Sequence, residues 1–446
     1  MYVFFLEIIL KNTYTAQSLL DFLNDGHSMF HATENLAKMY AAAGFTELFE
    51  QDGWKLEHGQ NYFVRRNNSG IMAFRCPQLR VANGFRIIGT HTDAPGFKIK
   101  PGNCLISHDG YVQLNTEPYG GAILNTWFDR PLSIAGKVVI ATKDACTTKS
   151  LLIDVAKPVL MIPNLCIHFN RDVNNGVSIN KQKDLLPILC MANPQKKSSD
   201  YLKDIIIEEI NKKGIDIANP DEEILDYELY LYETDKGSFV GFNDEFISAG
   251  KIDNLGLTFC GASALIDSPD SAYVQVMAAF DNEEVGSTTA NGANSSFMTT
   301  ILERIALSLG WSKEELYQNY AKSYIISADT GHAVHPNYAE KHDPTNRPVL
   351  GGGPILKYSS NQRYVTNSET ASMFKLACKH SGVPCQNFAL RSDIVGGSTI
   401  GPAISSITSI PTVDIGTAIL AMHSIREFAS TIDHEYTYRA FVSFLQ

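Results

Sequence analysis

The sequence lacks the cysteine pairs and the excess of positive charge that mark several large classes of protein. Its eight cysteines are scattered over 446 residues with no Cys-x-x-Cys pair, which argues against a disulfide framework or zinc knuckle and favours reduced thiols. Lysine and arginine number 37 against 48 aspartate and glutamate residues, so the formal net charge is −11. Because an acidic chain repels polyanions, we expect neither nucleic acid nor a membrane surface as its main partner.

Long apolar stretches are also missing, and no segment is long and apolar enough to predict a transmembrane helix. Residues 1–10 are apolar, but they include Glu7 and lack both a basic start and a small-residue cleavage site. We interpret them as an N-terminal extension that packs on the body of the protein. These features predict a soluble, cytoplasmic protein.

Several common catalytic motifs are absent. The sequence contains no His-Glu-x-x-His, no Walker phosphate loop and no Gly-x-Gly-x-x-Gly after a strand, which excludes the enzyme classes that depend on them. The segment Gly396-Gly-Ser-Thr-Ile-Gly401 is not a nucleophile elbow, because Ile400 stands where Gly-x-Ser-x-Gly needs its last glycine.

The secondary-structure pattern predicts an α/β protein with an insertion. Residues 15–45 show helical spacing with a break at Asp25-Gly26. After residue 248, apolar runs alternate with helical patterns, which is typical of a mixed, largely parallel sheet sandwiched by helices. Residues 98–237 instead carry many short β-like runs. We therefore predict a discontinuous α/β catalytic domain (1–97 and 238–446) and an inserted β-rich domain (98–237), called the inserted region below.

Ionisable side chains follow the predicted strands, at the edge where open α/β sheets place their reactive groups. They are His91 and Asp93; Asp281, Glu283 and Glu284; Asp329, His332 and His335; Arg391 and Asp393; and Asp414, with His423 further on and Asp253 at a helix start. Carboxylates crowded at one edge need protonation or a cation to balance them, and a mixture of imidazole and carboxylate suits zinc. Two zinc ions (about +4), three carboxylates (about −3) and a hydroxide come near neutrality, which favours a two-metal centre.

Seven motifs occur in a fixed order along the chain. They are Gly89-Thr-His-Thr-Asp-Ala-Pro95, Trp127-Phe-Asp-Arg130, Ile252-Asp-Asn-Leu255, Asp281-Asn-Glu-Glu-Val-Gly-Ser287, Ser327-Ala-Asp-Thr-Gly-His-Ala-Val-His-Pro-Asn337, Asn361-Gln-Arg-Tyr364 and Met422-His-Ser-Ile-Arg-Glu427. Together they resemble the M18 family of metallo-aminopeptidases, the group of aspartyl aminopeptidase and aminopeptidase I. The resemblance implies a zinc-exopeptidase-like fold whose inserted region serves oligomerisation, and a homo-oligomer, a dodecamer built from dimers that admits short peptides.

The resemblance also implies a role for each matching residue. His91 and Asp329 would hold one zinc ion, Glu284 and His423 a second, and Asp253 would bridge them; cobalt or manganese could occupy the same ligands. Glu283 would be the general base. Asp93 would orient the His91 imidazole, unless it caps the following turn.

For each of the other candidate site residues, two interpretations remain open. His332 and His335 could replace Asp329 as ligands, but Pro336 disfavours a shared helical face, so we expect a structural or substrate-side role. His168 matches a family histidine that reaches the active site of a partner subunit, although alone it resembles an ordinary strand histidine. Lys357 and Arg363 would bind an acidic substrate side chain, or form a solvated basic pair.

We therefore predict an aminopeptidase that removes N-terminal residues from short peptides and prefers acidic ones. The alternatives are a neutral, leucine-preferring aminopeptidase on the same scaffold, a dinuclear-zinc deacylase or dipeptidase, and a non-catalytic, metal-stabilised shell or cargo protein. The presence of Glu283 disfavours the last, because structure alone would not require it. Asn282 departs from the histidine expected at this position of the family motif.

Overall fold

The computed structural model describes residues 13–78, 83–142, 146–176 and 178–446, so the predicted packing of residues 1–10 lies outside the described residues. The helices are α1 (Ala16–Asp25), α2 (Met29–Ala42), α3 (Asp200–Asn211), α4 (Pro220–Glu223), α5 (Ile252–Asp267), α6 (Phe297–Ser308), α7 (Lys313–Lys322), α8 (Ser368–Ser381), α9 (Ile400–Thr408) and α10 (Thr431–Leu445). The strands are β1 (Thr46–Leu48), β2 (Asn61–Arg66), β3 (Gly70–Arg75), β4 (Phe85–His91), β5 (Gly96–Ile99), β6 (Leu105–Ile106), β7 (Tyr111–Gln113), β8 (Thr116–Tyr119), β9 (Leu132–Ala141), β10 (Thr148–Asp154), β11 (Ile188–Met191), β12 (Ile224–Glu233), β13 (Ser238–Val240), β14 (Phe246–Ala249), β15 (Val274–Phe280), β16 (Tyr324–Ala328), β17 (Gly331–His332), β18 (Ile355–Tyr358), β19 (Gln386–Ala389), β20 (Thr412–Gly416), β21 (Ala418–Leu420) and β22 (Glu427–Ser430).

A nine-stranded mixed sheet forms the centre of the molecule, in the order β1-β2-β3-β15-β4-β16-β20-β18-β19. Four neighbouring strands, β15, β4, β16 and β20, run parallel to one another. Every residue of β15 is buried, as expected of a strand covered on both faces. Its alternate residues enter two apolar clusters: Met277 and Ala279 pack with α5 and α10, whereas Val276 and Ala278 pack with α6. The predicted sheet sandwiched by helices is confirmed.

At the far end of this sheet, the expectation that Arg391 and Asp393 lie at the same edge as the other ionisable residues is wrong. Strand β18 runs antiparallel to β20 and parallel to β19, so the carboxyl end of β19 lies at the edge opposite to those of β4, β15 and β16. Arg391 and Asp393, which follow β19, therefore pair with each other (Nη2–Oδ2 2.7 Å), away from the other strand-end residues. An apolar run such as 388–390 carries no signal for strand direction.

The inserted region is rich in β-structure. One sheet has the order β10-β9-β12-β5-β8 and a smaller one the order β11-β7-β6. Their apolar side chains pack with those of α3 in a separate cluster. The buried members of this cluster lie between Phe97 and Leu231, except for Ile425. The limits 98 and 237 stay a prediction. Within the described ranges, no helix has the length and hydropathy needed to cross a bilayer.

Candidate metal centre

The parallel strands bring the candidate ligands to one edge of the large sheet. β4 ends at His91, β15 leads into the short 3-10 turn that holds Glu283 and Glu284, and β16 ends just before Asp329. The chain after β20 returns through β21 to His423, and Asp253 lies in the first turn of α5. Parallel pairing in register is what aligns these strand ends.

Five of these side chains form two groups that share one carboxylate. His91, Asp253 and Asp329 make the first group, and Asp253, Glu284 and His423 make the second; within each, one ligand atom per residue lies within 4.8 Å of the others. Asp253 Oδ1 lies 3.7 Å from His91 Nε2, whereas its Oδ2 lies 3.5 Å from His423 Nε2. The two oxygens of one carboxylate therefore face the two groups. In a third combination, ligand atoms of His91, Glu283 and Glu284 also lie within 4.8 Å of one another.

Backbone carbonyls fix the orientation of both imidazoles. His91 Nδ1 lies 3.0 Å from the carbonyl oxygen of Asp93, and His423 Nδ1 lies 3.2 Å from that of Gly121. A carbonyl only accepts hydrogen bonds, so each Nδ1 carries the proton and donates it. In the neutral imidazole this leaves Nε2, the atom that faces the carboxylates, free to bind a metal, which is the tautomer that a metal ligand requires.

The Asp93 carboxylate contacts the His91 imidazole and a turn that is distant in sequence, rather than the turn that directly follows it. Its Oδ1 lies 3.3 Å from His91 Nδ1, and its two oxygens accept the backbone N–H groups of Glu283 and Glu284, each at 3.1 Å. It also accepts the hydroxyl of Tyr119 at 2.7 Å. Asp93 thus contacts the imidazole and caps the turn that carries the two glutamates.

Burial and mutual repulsion shift the pKa values of the acidic groups. Burial, aided by Asp329, Asp93 and Asp253, raises the pKa of Glu283 to about 8 although His91 opposes it. Burial and the Asp253 charge also raise the pKa of Glu284. Burial works against ionisation of Asp329 too, but nearby Lys357 and His91 lower its pKa to about 2. A cation between these groups would relieve the repulsion.

The donor set fits zinc. The buried Oδ1 of Asp253 has no hydrogen-bond partner, which is unfavourable for an isolated buried oxygen and natural for a metal ligand. Separations of 3.5 to 3.7 Å between donor atoms compare with edges of about 3.3–3.6 Å for a tetrahedron of zinc–nitrogen and zinc–oxygen bonds. Each group offers three protein ligands, which leaves one position open, as in catalytic zinc sites.

Glu427 holds the backbone of two candidate ligands, and the sequence analysis assigned it no role. Its carboxylate accepts the N–H of Asp253 at 2.9 Å and that of His423 at 2.7 Å, and the residue is only 2% exposed. It lies four residues after His423 in the last of the seven motifs. Its position in the same motif as His423 is the sequence signal that could have identified it.

A cavity of about 500 Å³ opens beside the cluster. Its lining includes Asp253, Glu283, Glu284, Asp329, His332, Lys357, Tyr364, Phe388, Ser398, Met422 and His423. Among the described residues that line this cavity, Lys357 is the only lysine or arginine. Its Nζ donates to the carbonyl of Thr330 (2.6 Å) and lies 3.7 Å from Asp329 Oδ2. Although burial lowers the pKa of Lys357, the Asp329 charge raises it above its ordinary value, so the ammonium stays charged.

Of the other predicted site residues, only one lines the cavity. His332 lines the cavity, its ring 6.0 Å from that of Phe388, whereas His335 packs on Tyr338 outside the lining. Arg363 is exposed and also outside it. His168 lies in an exposed turn of the inserted region and belongs neither to the candidate metal groups nor to the cavity lining.

Comparisons with known proteins agree with one another. A family profile described as Aminopeptidase I zinc metalloprotease (M18) matches residues 22–445. The chain is similar to the probable M18 family aminopeptidase 2 of Clostridium acetobutylicum, with 46% identity over 96% of this chain and 98% of the relative. The protein of the same name from Ectopseudomonas mendocina is 43% identical over 96% of this chain and 97% of its own.

Solved structures share the fold. A structure of the Ape4 and Nbr1 complex matches with a TM-score of 0.92 and 37% identity, covering 96% of this chain and 85% of that chain. The mApe1 dodecamer of S. cerevisiae matches with a TM-score of 0.82 and 26% identity, covering 96% of this chain and 95% of that chain.

Proposed function

This chain belongs to the M18 family of zinc metallo-aminopeptidases, and from that premise we propose that it removes acidic residues from the N-termini of short peptides at a centre for two zinc ions. The observation that carries the two-ion proposal is the Asp253 carboxylate, whose two oxygens face separate His-and-carboxylate groups. A single ion would need only one of these groups. The acidic preference rests on Lys357, the charged cation in the cavity wall.

The ligands follow from the two groups. His91 and Asp329 would hold one ion, His423 and Glu284 the other, and Asp253 would bridge them. When bound, the ions supply Lewis acidity, which lowers the pKa of water and polarises the scissile carbonyl. Cobalt or manganese would suit the same donors.

Glu283 carries the proton during the reaction. Its carboxylate lies beside the ligands without belonging to either of the two ion-holding groups, and it lines the cavity. It would take a proton from water and deliver it to the departing amine nitrogen. Asp93 keeps the Glu283 backbone in place through the 3.1 Å bond to its N–H, and Lys357 would face the acidic side chain of the substrate.

Aminoacyl fluorogenic substrates test the proposed preference. We expect aspartyl and glutamyl substrates to be hydrolysed with higher kcat/KM than leucyl ones, and Lys357→Met to lower kcat/KM for aspartyl at least about tenfold relative to leucyl, since a single lost charge contact of ~1.4 kcal/mol has that effect. The matched control is Arg363→Met, which removes the exposed cation and leaves the ratio unchanged. Preference of the unmodified enzyme for leucyl substrates would establish the neutral alternative.

Blocking the substrate amine separates an aminopeptidase from a deacylase. An aminopeptidase recognises the free α-amine, so acetylation of the aspartyl substrate should abolish hydrolysis. Efficient cleavage of the acetylated substrate would support the deacylase alternative.

We also propose that the chain forms a homo-oligomer, a dodecamer built from dimers, in which His168 reaches a partner subunit. The turn around His168 exposes large apolar side chains, including Leu165 (58%) and Phe169 (81%), and one structural relative is described as a dodecamer. Sedimentation equilibrium should give a mass of about twelve chains, whereas a monomer at micromolar concentration would contradict the proposal.

A further inference from the structure

Residues 119–121 of the inserted region run along the metal centre and contact three of its residues. The Tyr119 hydroxyl donates to Asp93 Oδ2 at 2.7 Å, and the Gly121 carbonyl accepts from His423 Nδ1 at 3.2 Å. Between them, Gly120 passes so close to Glu284 that a Cβ at this position would lie 3.1 Å from the Glu284 Cβ. We call residues 119–121 the wall segment.

The Tyr119 hydroxyl has one defined direction. Asn282 Nδ2 donates to it at 3.0 Å and also to Asp281 Oδ1 at 3.3 Å. Because a carboxylate oxygen accepts hydrogen bonds, the amide nitrogen is the end that faces Tyr119, and Asn282 Oδ1 accepts the Thr289 hydroxyl at 2.7 Å. Because the tyrosine oxygen already accepts this bond, its own proton is directed to Asp93. Asn282, the departure from the family motif, thus has a specific role in this chain.

The ring of Tyr119 is held by the inserted sheet. Tyr119 pairs with Gly96 across β8 and β5, and β5 begins only three residues after Asp93. The ring also makes an edge contact with Tyr230 of β12, with 5.9 Å between centroids. The hydroxyl is therefore presented to Asp93 from a paired strand rather than from a loose loop.

We propose that the wall segment is part of the catalytic centre of its own chain, with Tyr119 as a positioning residue that acts through Asp93. Asp93 holds the backbone N–H groups of Glu283 and Glu284, and the Gly121 carbonyl holds the His423 imidazole. The inserted region then serves catalysis within one subunit, in addition to any part it takes in assembly. This inference rests on the proposed function.

The variant Tyr119→Phe removes the hydroxyl and keeps the ring. We expect kcat on an aspartyl substrate to fall about tenfold or more, as for other residues that orient metal ligands, while KM and bound zinc stay within error and the unfolding temperature falls no further than in the control variant. The matched control is Tyr227→Phe, which removes a hydroxyl from the same inserted sheet, bonded to the Lys100 carbonyl at 3.1 Å, and should leave kcat unchanged. Unchanged kcat in Tyr119→Phe, or an equal fall in both variants, would overturn the proposal.

The variant Gly121→Ala tests the contact with His423 by a measurement other than activity. Its Cβ would lie 3.3 Å from His423 Nδ1, so the imidazole must move, and we expect zinc affinity to fall about tenfold in a chelator competition. Gly53→Ala, where no atom lies within 4 Å of the added Cβ, is the control. Equal zinc affinity in both variants would refute the role of the wall segment, whereas failure of the unmodified protein to bind zinc or hydrolyse peptides would refute the proposed function instead.

Discussion

Replacing Glu427 by glutamine should weaken zinc binding without direct contact between this residue and the metal. Its two oxygens accept the N–H groups of Asp253 and His423 at 2.9 and 2.7 Å. A glutamine has the same shape but only one acceptor atom, so its amide nitrogen must face one of the two N–H groups. One of the two proposed ligands, Asp253 or His423, then loses the hydrogen bond that holds its backbone.

The expected size of the effect follows from the burial of these groups. A buried donor left without a partner costs about 1–3 kcal/mol, which corresponds to a factor of about 5–150 in a dissociation constant. Residues that orient metal ligands change metal affinity by about 10–100-fold when replaced. We therefore expect the zinc Kd of Glu427→Gln to rise by about 10–100-fold.

Competition with a chelator of known zinc affinity measures this change. The matched control is Glu233→Gln, because Glu233 is also buried but pairs with Arg130 and Arg426 rather than with a proposed ligand. The control should lose stability in chemical denaturation and keep its zinc Kd. If Glu427→Gln binds zinc as tightly as the unmodified protein, or if both variants lose affinity equally, the reasoning is wrong.

Two further predictions concern the general base and a buried histidine. Glu283→Gln should retain its zinc and lose turnover by about 10²–10⁴-fold; unchanged rates would favour the non-catalytic shell. Burial lowers the pKa of His434 to about 4, against about 6.5 in an unfolded chain. Between these pH values the unfolded chain binds a proton that the folded chain excludes, so this histidine should lower the free energy of unfolding by about 2 kcal/mol at pH 5 relative to pH 7. In His434→Gln, the free energy of unfolding measured with urea should vary less between pH 5 and pH 7 than in the unmodified protein. The same variation with pH in both proteins would contradict this assignment.

The sequence predicted local structure well where a side-chain pattern encodes it. The helix break at Asp25-Gly26 is confirmed by α1 and α2, and α1 begins at a Thr15 capping box. The runs at 273–280 and 324–327 are confirmed as β15 and β16. The motifs predicted the M18 family and a metallo-aminopeptidase, and both are confirmed by the family profile and the curated relatives.

The sequence did not predict the structure correctly where strand direction or contacts between distant residues determine the position of a side chain. Asp414 was expected at the strand edge with the other acidic residues, but it lies inside β20 and accepts the Thr399 hydroxyl and the Val365 N–H, both at 2.7 Å. It fixes two loops beside the cavity and does not join the cluster. Strand direction at β19 depends on pairing with β18, which a run of apolar residues does not specify.

The supporting contacts of the metal centre were missed for the same reason. Glu427 and Tyr119 act on backbone amides or carboxylates that are 174 and 26 residues away in sequence. These long-range contacts are set by tertiary packing and have no local pattern, and only the position of Glu427 in the same motif as His423 points to its role. The wall segment has only a weak signal, two successive glycines after a strand.

The most direct test of the account is the zinc content of the purified, fully loaded protein, measured by elemental analysis against protein concentration. Two ions bridged by Asp253 predict two zinc ions per chain, and one or fewer in Asp253→Ala. A value of one or none in the unmodified chain would contradict the shared-carboxylate centre on which the proposed mechanism depends.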